Sequence, residues 1–127
     1  MTEMAERRRV ARVAVPWHLN GWVSETREVR LLDLSTSGVR IEHVEPLRPG
    51  SSCTLELPPP LGSLHLTARI VWSLVRGGEQ TPDGERRLHY QSGLAFTGIS
   101  PDQQTVLAGA LGNINATEHL KNRKPTP

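Results

Sequence analysis

Two short groups of residues in this chain have the types and spacing to do chemistry. One is Arg8-x-x-x-Arg12, with Arg7 and Arg9 beside it. The other is Asp33-x-Ser35-x-x-Gly38. Residues two apart on a strand share a face, so Asp33 and Ser35 project together if the strand runs that far. Ionised aspartate presents two acceptor oxygens, and serine adds a donor and lone pairs. Gly38 permits a positive φ and lets a second backbone or a ligand come close. A surface of this kind suits guanine. Its N1–H and N2 amino group are adjacent donors for a carboxylate, and its O6 and N7 are the acceptor pair that arginine reads bidentately. Arginine also stacks on aromatic faces and clamps phosphate. Arg8 and Arg12, four apart, fall on roughly one side of either a strand or a helix.

The elements that must position these groups read mainly as strands. Six are expected: over residues 13–23, 27–34, 38–44, 52–57, 63–76 and 86–97. Pro16 makes the first an edge or irregular strand. In the second, Val29 and Leu31 fall on one face, Leu32 and Leu34 on the other. In the third, Val39 and Ile41 alternate with Arg40 and Glu42. Ser35-Thr36-Ser37-Gly38 is a dense turn signal, so the second and third strands form a hairpin. Pro46 to Gly50 is a turn, Pro58-Pro59-Pro60 ends the fourth strand, and residues 77–85 form a loop.

One helix follows. Ser100-Pro101-Asp102 supplies a cap, a proline at the first helical position and an early carboxylate. Val106, Leu107, Ala110 and Leu111 share a face, and Gly112-Asn113 is the expected stop. The chain thus divides into an arginine-rich, flexible segment (1–12), a barrel with its closing helix (13–112) and a polar, disordered tail (113–127). Even spacing of strands and turns favours a small antiparallel barrel or sandwich.

Length and charge narrow the function. The 127 residues are enough for one domain with a real core. With 36% hydrophobic and 4% aromatic residues, that core must be lean and aliphatic. No run of about eighteen apolar residues suggests a membrane span, and the N-terminus lacks the apolar stretch of a signal peptide, so a cytoplasmic protein is expected. A single cysteine, Cys53, excludes an intrachain disulfide and a cysteine-cluster zinc site. The net charge of +2 is uneven: residues 1–12 and 118–127 carry +2 each, and the body between them carries −2. That body has too little positive charge and too few aromatics for a groove that binds DNA or RNA. No nucleophile–base order, metal cluster or phosphate-binding glycine loop points to an enzyme.

The two motifs together resemble the PilZ domain, the bacterial receptor module for cyclic di-GMP. Its motifs are Arg-x-x-x-Arg near the start and Asp/Asn-x-Ser-x-x-Gly on a barrel hairpin. They read here as Arg8-Arg9-Val10-Ala11-Arg12 and Asp33-Leu34-Ser35-Thr36-Ser37-Gly38, one strand apart. Gly93-Leu94-Ala95-Phe96 and the Ser-Pro-Asp helix start resemble the family's last strand and closing helix. The resemblance covers residues 6 to about 112. It implies an all-β fold, a six-stranded antiparallel β-barrel with a short C-terminal helix, and an arginine segment that wraps onto the ligand. Arg8 and Arg12 would clamp guanine and phosphate, Asp33 would hold a guanine Watson–Crick edge, Ser35 would bond phosphate or base, and Gly38 would shape the turn. An arginine directly before the motif goes with an intercalated pair of ligands, and Arg7 stands there.

The reading is therefore a cyclic di-GMP receptor without cofactor, metal or membrane insertion. It would be a monomer or homodimer that passes its state to an effector protein. The alternative is a PilZ-like interaction module that ignores nucleotide. In that case Arg7-Arg8-Arg9 is a solvated end, and Asp33 and Ser35 merely close a hairpin turn. Trp17, Trp22 and Trp72 read as packing residues, and the five histidines show no metal-ligand spacing.

Overall fold

The computed structural model describes residues 12–16 and 19–122. The expected hairpin is its centre. Strand β3 (Arg27–Leu34) pairs antiparallel with β4 (Gly38–His43). Leu31 lies opposite Ile41 and Asp33 opposite Arg40, so Leu32 is an extra residue, a β-bulge. The bulge resets the alternation. Val29, Leu31 and Leu34 all enter the core, and Leu32 is half-buried. The expected two-faced split of this strand is therefore replaced by one core face before and after the bulge, with Arg30 and Asp33 on the outer side.

The expected first strand breaks at its proline. β1 (Val13–Ala14) pairs with Leu34 and Asp33, and β2 (Asn20–Val23) pairs with Arg30 to Arg27, both on the same edge of β3. Pro16 has no N–H to continue a ladder, and its carbonyl instead accepts from Leu19 N at 3.0 Å. β2 also pairs with β5 (Ser52–Glu56), β5 with β6 (His65–Gln80), β6 with β7 (Arg86–Phe96), and β7 with β4. Since β4 returns to β3, six strands close into a ring, with β1 as a short addition. Closure of this kind defines a barrel and removes free sheet edges where it is complete.

β6 and β7 outrun the ring. β6 passes through Gly77 and Gly78, which lie opposite His89 and Leu88, and only residues 81–85 turn. The expected loop over 77–85 is thus shorter, because cross-strand pairing carries two glycines that favour a loop when read alone. β6 carries bulges at Val71 and Arg76.

The core is aliphatic, as composition requires. Leu31, Leu34, Ile41, Leu55, Leu57, Leu61 and Ile70 are almost wholly buried. Helix α1 (Pro101–Asn122) covers one barrel end with Leu107, Leu111 and Ile114. Its start is a reciprocal capping box: Gln103 N donates to Ser100 Oγ at 3.1 Å, and Ser100 N donates to Gln103 Oε1 at 3.0 Å. Val106, expected on the core face, is 46% exposed.

The helix does not stop at Gly112-Asn113. It continues to Asn122, 22 residues in all, so the short helix and the disordered reading of 113–122 are corrected. Gly112 does not adopt a positive φ, and Ile114 extends the stripe of Leu107 and Leu111 into the core. Burying that side chain outweighs the cost of about 1 kcal/mol for a mid-helix glycine. The flexible reading of residues 1–11 and the disordered reading of 123–127 lie outside the described residues. No described helix is long and apolar enough to cross a membrane.

Candidate functional site

The site begins with side chains that are missing. On the outer face of the barrel, Gly38 of β4 lies opposite Ala95 of β7, and Arg40 lies opposite Gly93. Strand neighbours two apart share a face, so Gly38, Ala95 and Gly93 make a floor with almost no side-chain height. The floor belongs to a cavity of about 510 Å³, a volume in the usual range for small-molecule sites. Arg12, Asp33, Ser37 and Arg40 form one wall, and Val71 and Trp72 the other.

Asp33 is the charged centre of the first wall. Arg12 donates from Nε to Asp33 Oδ1 at 2.7 Å, with Nη2 in ion-pair contact with the same oxygen at 2.6 Å, and Arg40 donates from Nε to Oδ2 at 2.8 Å. The carboxylate is mostly covered, with 16% of its side chain exposed, whereas the arginines keep 46% and 44%. Arg12 comes from the chain just before β1, and Arg40 comes from across the hairpin. The bulge at Leu32 turns Asp33 outward to meet both.

Ser35 does something else. Strand β3 ends at Leu34, and Ser35 is fully buried inside the turn. Its Oγ accepts from Ser37 N and Gly38 N, both at 3.2 Å, and lies 3.0 Å from Ser37 Oγ. The expected common projection of Asp33 and Ser35 is therefore absent. The serine fixes the hairpin turn, and Ser37 reaches the cavity in its place. Gly38 is needed for close approach and not for a positive φ. A Cβ there would stand 2.3 Å from the Leu94 carbonyl oxygen.

The opposite wall is aromatic. A Cβ at Gly93 would stand 2.3 Å from Trp72 Nε1 and 2.6 Å from Cε2, so the indole lies directly over that glycine. Trp72 is half-buried, and the packing role expected of it is only partly met, since it also lines the cavity.

Of the six predicted site residues, the structure brings Arg12, Asp33 and Gly38 together at the cavity and places Ser35 behind the turn. Arg7 and Arg8 lie outside the described residues. Arg40, Trp72, Gly93, Ala95 and Ser37 were missed. Two signals in the sequence could have found some of them. In a hairpin closed by residues 35–38, an outward Arg40 must come near Asp33. The alternate small residues Gly93 and Ala95 mark an outward face with room above it.

Among the described residues, no group of histidine, cysteine, aspartate or glutamate could hold a metal ion. His43 is the one buried titratable ring among them. Its Nδ1 is 2.6 Å from the Glu45 carbonyl, its Nε2 is 2.7 Å from Ser92 Oγ, and it stacks on Tyr90. Burial holds its pKa below the ordinary value. It does not line the cavity.

Comparison with known proteins extends this description. The family model for the PilZ domain matches residues 6–112. No curated protein matches the chain at a significant level. Among solved structures, the PilZ domain with c-di-GMP of YcgR from Escherichia coli is similar over 94% of this chain and 99% of its own, with a TM-score of 0.69 and 20% identity. The K. pneumonia MrkH–c-di-GMP complex is similar over 91% of this chain but 55% of its own, with a TM-score of 0.69 and 18% identity. The Bacillus subtilis inhibitor of motility (MotI/DgrA) is similar over 88% of this chain and 52% of its own, with a TM-score of 0.56 and 21% identity. At these identities the likeness establishes the fold. The chain spans about half the length of the last two.

Proposed function

This chain belongs to the PilZ domain family, and on that premise we propose that it is a cyclic di-GMP receptor that acts by binding and without catalysis. The observation that carries the reading is the trough itself. A mostly covered carboxylate, two arginines and an indole surround a floor of glycine and alanine. Those are the groups needed to hold a guanine edge, a phosphate and a base face. Structural neighbours solved with c-di-GMP support it.

The geometry suggests how ligand would enter. A carboxylate offers about four lone-pair sites. Arg12 and Arg40 each hold one Asp33 oxygen through Nε, and Arg12 Nη2 crowds the first of them. Guanine needs two sites, for N1–H and the N2 amino group, so one arginine must yield. Arg12 yields, because it stands outside any strand, just before β1, whereas Arg40 is fixed within β4. Its freed guanidinium then turns to phosphate or to the base face. Arg7 and Arg8 join it there, and Arg7 favours two ligands per site. Ser35 contributes through the turn it holds. Exchange of partners at Asp33 reshapes the segment before β1, and an effector protein reads that change.

A second reading has one observation in its favour. Both Asp33 oxygens are already occupied, and Ser35 is sealed in its turn, as in a hairpin closure that serves only the fold. That module would bind a protein and ignore nucleotide. Calorimetric titration with cyclic di-GMP, with cyclic di-AMP as control, separates the two. Adenine lacks the N1–H and N2 donors, so the receptor binds the guanine nucleotide alone, and the stoichiometry counts the ligands. Equal binding of both nucleotides, or of neither, overturns the receptor reading.

A further inference from the structure

The row of residues that forms the trough floor continues beyond it. Gly38 lies opposite Ala95, Ala95 opposite Arg69, and Arg69 opposite Ser52. Directly opposed residues share a face of the sheet. On β6, Leu66, Ala68 and Ile70 are buried while Thr67, Arg69 and Val71 are exposed, so Arg69 points outward on the cavity side. It stands one strand spacing, about 5 Å, from Ala95. Along that row only a methyl group and a glycine separate it from the turn at Ser37. Val71, two residues along the same strand, is already part of the cavity wall.

Charge sharpens the point. Arg12 and Arg40 are both engaged by Asp33, so these three groups together carry +1. A cyclic dinucleotide carries two phosphates and a charge of −2. Among the described residues, the Arg69 side chain makes no hydrogen bond or ion pair. It is an uncommitted guanidinium at the rim opposite the Arg12–Asp33–Arg40 wall, and with it the described part of the site carries +2. A planar guanidinium matches two phosphate oxygens at once.

We infer that Arg69 recognises a phosphate of the bound cyclic dinucleotide, reaching in from β6 across Ala95. The inference rests on the receptor reading above and adds to it a residue outside both sequence motifs. Ligand would then be held between a wall that reads the base and a rim that reads the phosphate.

The test is titration of the full chain and of Arg69→Ala, Arg69→Lys and Arg69→Glu with cyclic di-GMP, at low and at high KCl. Loss of one charge-assisted contact should weaken Arg69→Ala about tenfold. Its affinity should also fall less steeply with salt than that of the unmodified chain, since one screened charge has gone. Arg69→Lys should recover part of the loss, and Arg69→Glu should be weaker than the alanine variant. Arg69 is exposed, so all three should keep the unmodified chain's thermal midpoint. If the unmodified chain binds and Arg69→Ala matches it within about twofold at both salt levels, Arg69 plays no part and the receptor reading survives. If the unmodified chain does not bind, both fall.

Discussion

The indole of Trp72 covers Gly93 so closely that a Cβ at the glycine would lie 2.3 Å from Nε1. Arg40 stands opposite the same glycine on β4. Gly93 is therefore the gap that separates a guanidinium from an aromatic ring, and the trough depends on it.

Gly93→Ala should close that gap. The new methyl group must push the indole away, while the neighbouring backbones stay paired. The barrel should survive, with an altered tryptophan emission spectrum. Cyclic di-GMP affinity should fall about tenfold or more as the aromatic wall is lost. Unchanged emission together with unchanged affinity would show that Trp72 is not part of the wall.

Asp33 should matter far more to ligand than to fold. Its ion pairs join a mostly covered carboxylate to half-exposed guanidinium groups, and such pairs contribute about 1 kcal/mol or less each. Asp33→Ala should lower unfolding stability by about 1 kcal/mol but weaken the guanine dinucleotide about a hundredfold, since two charge-assisted bonds are lost. Urea unfolding and calorimetry on the same preparation separate the two effects. Comparable losses in both would place Asp33 in the fold and not in the site.

Gly38 should behave in the opposite way. Its added Cβ meets a backbone oxygen, that of Leu94, at 2.3 Å, and backbone cannot swing aside as a side chain can. Gly38→Ala must part β4 from β7 locally, at a cost of about 1–3 kcal/mol. Gly77→Ala is the control, because a Cβ there meets nothing within 4 Å. Equal stability of the two variants by urea unfolding would refute the close-approach argument.

These contrasts show which parts of the molecule could be read from sequence. The hairpin, its turn and the helix start were legible because their determinants are local: Ser35 to Gly38, the alternation of β4, and Ser100-Pro101-Asp102. The aliphatic core followed from composition. The bulge at Leu32 was not legible, because which residue is extra is settled by the partner strand, and with it went the true facing of Leu34. Ser35 pointed the wrong way for a related reason, since the strand ends one residue too soon for it to share the face of Asp33. Arg40, Trp72 and Gly93 converge through pairings between β3, β4, β7 and a β6 displaced by the bulge at Val71. Such long-range register leaves only a faint trace in any one segment. Gly112 misled in the other direction, as a local stop signal overruled by the burial of Ile114.

His43 gives the molecule a pH dependence that can be worked out in sign. A carbonyl only accepts, so Nδ1 donates to Glu45 O, and Nε2 lies 2.7 Å from Ser92 Oγ. Burial is the main reason its pKa lies below the ordinary 6.5. The charge of Arg27 lowers it further, and the Glu45 carbonyl and Glu42 carboxylate oppose the shift. The unfolded chain therefore takes up this proton at a higher pH than the folded one. The contribution to stability is complete above the unfolded value and is lost as pH falls through the folded value. As pH falls below about 6.5, urea unfolding should show stability declining, by at most about 1.4 kcal/mol per pH unit from this one group. His43→Gln should be less stable at neutral pH, because the stacked, hydrogen-bonded ring is gone, and it should show a flatter decline over the same range. A variant that loses stability with pH as steeply as the unmodified chain would assign the titration to other groups and leave His43 a packing residue only.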